Sequence, residues 1–228
     1  PMLVSSEVFL DPELTIGLPK RITAATGIDA IAHAIEAYTS NRVLNVPGSS
    51  VFSDTYALQA VRMIGANLCQ AVKEGADLEA RKQVMLGAAM AGFVSQAGSG
   101  GAHGMGTPLG ARYHVPHGTA VGIMLPYVME FNASICPERM KEIAKALGCE
   151  VEGMTLGEGA LSASKKMMQL LKEIDFPTLT EYVKTQEELQ LLSEDAVKDK
   201  CCMLNAKALN VEEILALYQA AWKGEVRE

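Results

Sequence analysis

Residues 24–38, Ala24-Ala-Thr-Gly-Ile-Asp29-Ala-Ile-Ala-His33-Ala-Ile-Glu-Ala-Tyr38, decide how the chain is read. Ile28, Ile31, Ile35 and Tyr38 recur three or four residues apart, the spacing of one buried helix face. Asp29 and His33 lie four apart in that segment, so a helix sets both side chains on one face, about one turn from each other. By the same device two histidines of a metalloprotease helix reach one zinc. A carboxylate oxygen and an imidazole nitrogen together suit a divalent first-row metal. An Asp and a His at this spacing also arise as a capped or exposed Asp beside a hydrogen-bonded core His, and the pair alone does not decide. Glu36 follows one turn later on the same face; it either orients a ligand imidazole or is simply solvated.

Outward from this helix the pattern stays helical. Leu18-Pro19 precedes it and Asn45-Val-Pro-Gly-Ser-Ser50 follows as a loop. Ser53 is then a natural cap for a long helix carrying Ala57, Val61, Ile64 and Leu68 on one face. A further helix spans 78–97 through Val84, Ala88, Ala91 and Val94, and Gly98-Ser-Gly-Gly101 breaks it. Two pieces, 103–113 and 118–131, are divided by Val115-Pro116; another covers 138–147 and stops at Gly148. Helices near 157–174, 186–199 and 211–222 complete the chain. In the other direction, residues 2–9 read as an extended segment that ends at Asp11-Pro12. The expected class is all-α with a short N-terminal extended segment. A lone strand cannot form a sheet, so that segment is either an arm or part of a sheet elsewhere.

Composition narrows the function. A net charge of −7 disfavours phosphate backbones and anionic membranes, so neither nucleic acid nor a bilayer is an expected partner. No apolar run approaches the roughly 20 residues of a spanning helix, and no signal peptide is visible. Cys69, Cys136, Cys149, Cys201 and Cys202 are odd in number and form no C-x-x-C, which points to small buried thiols in a reducing cytoplasm. Twelve methionines against one tryptophan fit an adaptable helical core.

The chain has four histidines, and three of them fall between residues 103 and 117. His103 follows the glycine run, where the backbone can approach a neighbour closely and start a new helix. His117 sits between Pro116 and Gly118 at the mouth of the next helix. One straight helix would hold the two about 21 Å apart. Gly110 and Pro116 permit the fold-back that shared ligation requires. His114 reads as a surface residue, with a ligand or proton-shuttle role as the alternative. Taken together, Asp29, His33, His103 and His117 make four donors for one ion. Three neutral imidazoles and one carboxylate leave a divalent ion with net charge near +1, enough to favour ionisation of an alcohol oxygen at an open coordination position. Iron, zinc, manganese and nickel all suit such donors.

These segments resemble a known family. Ala24 to Tyr38 is similar to the metal-binding helix of the iron-containing (group III) alcohol dehydrogenases. Ser53-Asp-Thr-Tyr-Ala-Leu58 with Asn67-Leu68 resembles its next block; His103-Gly-Met-Gly-Thr-Pro-Leu-Gly110, Val115-Pro-His117-Gly118 and Leu125-Pro126 resemble the third. Asp11-Pro-Glu-Leu14 and Leu18-Pro19 resemble the entry to the family's helical domain. The resemblance covers residues 1 to about 150 closely and the remainder loosely. It implies the dehydroquinate synthase-like fold, in which an α/β domain binds NAD(P) and a helical domain holds the metal. It also implies Asp29, His33, His103 and His117 as ligands, Fe2+ ahead of Zn2+, Mn2+ or Ni2+, and small alcohols, diols, aldehydes or ketones as substrates. On this reading residues 1–228 form a single helical metal-binding domain, and the nucleotide domain is absent from the sequence. Neither the family's Gly-Gly-Gly-Ser turn nor its threonine-rich nicotinamide segment is found; Gly98-Ser-Gly-Gly101 follows a helix, not a strand. Residues 2–9 would then be the exit from the missing sheet. Many members carry a further histidine at the position of Thr107, so a proton relay here falls to the Thr107 hydroxyl, a water or His114. NAD(P) would reach the site through the missing domain, and homo-oligomerisation stays open. The rival readings are a stand-alone helical metal protein, a hydrolase using an activated water, and an inactive fragment.

Overall fold

The computed structural model describes residues 7–40 and 50–226. These form eleven α-helices, and no strand occurs among them: α1 (Lys20–Thr39), α2 (Val51–Lys73), α3 (Leu78–Val94), α4 (Gly101–Tyr113), α5 (His117–Ala133), α6 (Pro137–Ala146), α7 (Leu156–Glu173), α8 (Leu179–Tyr182), α9 (Glu188–Ala196), α10 (Lys200–Leu204) and α11 (Val211–Lys223). Most of the expected extended segment 2–9 lies outside the described residues, as does the loop 45–49; residues 7–10 carry no regular structure. Asp11-Pro12 opens a short 3-10 turn, Pro12–Thr15, capped by the Asp11 carboxylate.

Helix α1 is the central element and packs on α2, α3 and α5. Ile28, Ile31 and Ile35 are at most 1% exposed. Burying such a side chain is worth about 1.5–3 kcal/mol over leaving it in water, so this stripe fixes which way α1 faces. Ala57, Val61, Ile64 and Leu68 of α2 meet it, as their spacing predicts. Met105, Met124, Met129, Met140 and Met167 are all buried, the adaptable core that the composition implies.

Most boundaries fall within one or two residues of the sequence reading; three larger differences have a local reason. The cap of α2 is Ser50, not Ser53. Ser53 N donates to Ser50 Oγ at 3.1 Å and Ser50 N donates to Ser53 Oγ at 2.8 Å, a reciprocal box that starts the helix earlier. Val51 and Phe52 in this first turn are exposed, so no buried apolar position marks it in sequence. Helix α3 ends at Val94 and tightens to a 3-10 turn over Ser95–Ala97. The expected helix 186–199 is shorter, α9 ending at Ala196; beyond it Asp199 caps the separate α10 by accepting from Cys201 N at 2.9 Å.

The fold-back between α4 and α5 is made at His114, whose φ of 55° is left-handed. Buried Val115 and exposed Pro116 carry the chain into α5. The two helices run antiparallel and close, with Gly110 against Val115 and Gly106 against Val121.

Candidate metal centre

Three helices converge on one carboxylate oxygen. Asp29 and His33 come from α1, His103 from the first turn of α4 and His117 from the first residue of α5. Around Asp29 Oδ1 stand His117 Nε2 at 3.5 Å, His103 Nε2 at 3.6 Å and His33 Nδ1 at 3.8 Å. Donor atoms of Asp29, His33 and His103 all lie within 4.8 Å of one another. The His33 and His103 rings are 4.2 Å apart between centroids, and those of His103 and His117 5.5 Å. Asp29 Oδ1 and His103 Nε2 are buried and neither has a hydrogen-bond partner. Two orphaned buried polar atoms facing each other across 3.6 Å are costly unless a third species satisfies both. A cation does that, so the residues present fit a metal ion.

The ring tautomers follow from the partners. His33 Nδ1 lies 2.9 Å from the carbonyl of Asp29. A carbonyl only accepts, so Nδ1 carries the hydrogen and Nε2 keeps its lone pair. His103 Nδ1 faces Glu36 Oε2 at 2.5 Å, which likewise turns Nε2 toward Asp29.

Glu36 is 2% exposed and does more than hold His103. The N-cap of α4, Gly100, has no side chain to offer, so Glu36 reaches across from α1 and accepts from Gly100 N at 2.9 Å and Ala102 N at 2.6 Å. A Cβ on Gly100 would sit 2.9 Å from Glu36 Oε1, so the glycine is what admits the carboxylate. The helix dipole adds favourable charge. The imidazole that Glu36 orients thus belongs to another helix, not to His33 on its own. At the other side, a Cβ on Gly118 would fall 2.4 Å from Ala25 O, so α5 rests directly on α1 and carries His117 to Asp29.

Burial opposes protonation of His103, but Glu36 and Asp29 outweigh it and raise its pKa to about 10 in the metal-free protein. Burial likewise pushes the Asp29 carboxyl up; the surrounding imidazoles of His103, His33 and His117 more than offset this and hold it low.

Residues 23–222 match the model of the Fe-containing alcohol dehydrogenase family, C-terminal part. The chain belongs to the iron-containing alcohol dehydrogenase family. It is 34% identical over 229 residues to a long-chain-alcohol dehydrogenase of Geobacillus thermodenitrificans, covering 99% of this chain and 56% of that protein. With the lactaldehyde reductase of Escherichia coli K12 it shares 35% identity over 216 residues, 94% of this chain and 54% of that one. The crystal structure of a 1,3-propanediol oxidoreductase superposes with a TM-score of 0.87 at 34% identity, over 92% of this chain and 54% of that one. The chain therefore spans about half the length of the relatives it matches, and its all-α fold is that of the corresponding half. The family's description names iron, so membership implies a bound metal.

Two further candidate residues are placed by the fold. His114 is exposed and serves as the left-handed C-cap of α4. Thr107 lies one turn after His103, exposed, and its Oγ1 donates to Asp199 Oδ2 at 2.8 Å. The Thr107–Asp199 bond was not foreseeable, since no sequence pattern joins residues 92 apart. An open groove of ≈ 910 Å³ over Tyr127, Phe131, Met168 and Leu217 shares no residue with this centre.

Proposed function

We propose that this chain is the metal-holding part of an alcohol dehydrogenase, binding one divalent ion through Asp29, His33, His103 and His117. With a nicotinamide nucleotide held by a further domain, NAD or NADP, it interconverts small alcohols or diols with aldehydes or ketones. One observation carries the reading: the buried Asp29 Oδ1 and His103 Nε2 face each other with no partner, beside two more imidazoles. Family membership supports iron as the native ion; zinc, manganese and nickel fit the same donors. Lactaldehyde, 1,3-propanediol and long-chain alcohols in the relatives' names support the substrate class.

When bound, the ion supplies Lewis-acid polarisation of the substrate oxygen. The chain's own residues prepare for that. Glu36 and the Asp29 carbonyl hold the Nδ1 sides of His103 and His33, so these two rings turn Nε2 to the ion once His103 has released its proton. His117, exposed at 61% of its side chain, stands on the open side, where substrate enters. The chain acts as one metal-holding unit whose described residues are helical, and five free thiols are compatible with a reducing cytoplasm.

Elemental analysis of protein purified without chelator tests the assignment. One metal per chain, lost in His103→Ala, is expected; full metal content in that variant overturns it. Nicotinamide-linked alcohol oxidation by the full-length protein is the matching activity result. Metal-dependent ester hydrolysis without such oxidation would favour a hydrolase instead.

A further inference from the structure

Thr107 and Asp199 form a polar device beside the metal centre that the chemistry above does not use. Four residues advance a helix by about 6 Å, and helical side chains lean toward the N-terminus, so Thr107 leans back over the His103 turn. Its one hydroxyl hydrogen has two acceptors in reach, His103 O at 3.2 Å and Asp199 Oδ2 at 2.8 Å, and the charged, nearer one takes it. The hydroxyl's lone pairs remain as acceptors. Asp199 is fixed from behind: it is the N-cap of α10, and its other oxygen accepts from Cys201 N at 2.9 Å. Thr107 is exposed and Asp199 partly so, and their paired oxygens come from different helices, one turn along α4 from His103. Burial pushes the Asp199 carboxyl up, but the Cys201 N–H and the Thr107 hydroxyl outweigh it, so it stays an ionised acceptor at neutral pH.

We propose that the Thr107–Asp199 pair is a specificity determinant that accepts a hydrogen bond from a second hydroxyl of the substrate. It favours diols and hydroxyaldehydes, with that hydroxyl two or three carbons from the reacting oxygen, over plain alcohols of equal length. This rests on the reading that the reacting oxygen binds at the Asp29, His33, His103 and His117 cluster. A site built to hydrogen-bond a hydroxyl rejects the analogue lacking it, and one bond to a charged acceptor gives about tenfold to hundredfold.

The test uses full-length protein with Co2+ in place of the native ion, whose visible absorption reports a ligand arriving at the metal whether or not hydride moves. Titrations with 1,3-propanediol and 1-propanol give the two affinities, and kcat/KM for both is measured alongside. The wild type is expected to bind the diol about tenfold more tightly. Thr107→Val and Asp199→Asn, the latter keeping the α10 cap, are expected to erase most of that preference; Thr107→Ser keeps it. Equal binding of both alcohols by the wild type, or a preference untouched by Thr107→Val and Asp199→Asn, overturns the proposal. Diol preference in binding without any nicotinamide-linked turnover upholds this site and overturns the dehydrogenase reading; turnover without preference does the reverse.

Discussion

At the scale of single residues, Glu36 holds the metal centre together without belonging to it. Its carboxylate turns His103 so that Nε2 points at Asp29. Glu36→Gln keeps the shape and removes the charge. The metal dissociation constant should rise about 10- to 100-fold, measured by competition with a coloured chelator, and unchanged affinity would count against the role. The proton that His103 holds in the metal-free protein sets a second expectation. With its pKa raised to about 10, that proton must leave when an ion takes Nε2. Metal affinity should therefore climb as pH rises from 6 to 9, and uptake in weak buffer should release acid that an indicator dye registers. Part of this was readable beforehand. The spacing of Asp29, His33 and Glu36 is written in one helix, and the histidines at 103 and 117 stand at visible breaks. That Glu36 serves His103, and that Thr107 meets Asp199, depends on how separate helices cross, which periodicity does not encode.

At the scale of elements, the crossing of α1 and α5 sets the ligand spacing. A methyl on Gly118 would press on the Ala25 carbonyl and lie 3.1 Å from Asp29 Cβ. Backbone cannot retreat as a flexible side chain can, so Gly118→Ala should cost about 1–3 kcal/mol. Thermal melting of the metal-free variant measures that cost, and weakened metal binding should accompany it as His117 is pushed from Asp29. The long helices were legible because several turns repeat the apolar spacing, as Ile28, Ile31 and Ile35 do. Helices α8 and α10, of four and five residues, are too short to establish a period. The start of α2 is misplaced in the sequence reading because the apolar residues of its first turn, Val51 and Phe52, are exposed and Ser50 and Ser53 are equally good caps by type.

At the scale of the whole molecule, the ion and the fold are separable to a degree. The buried stripe of α1, the α2 face and the methionines of α4 to α7 form a core that does not pass through the ligands. Removing the metal should therefore leave far-ultraviolet circular dichroism almost unchanged. It should still lower Tm: at free metal 100 times the dissociation constant, binding contributes about 2.7 kcal/mol. For a chain of this size that corresponds to roughly 5–10 °C. Collapse of helicity on chelation would show instead that the core needs the ion. The carboxylate that closes the start of α4 is also the one that steadies His103. Helix ends fray before their middles, so warming should loosen this end and let the cation leak while most of the protein is still intact. Escape of the ion would then be an early alarm of unfolding rather than its aftermath.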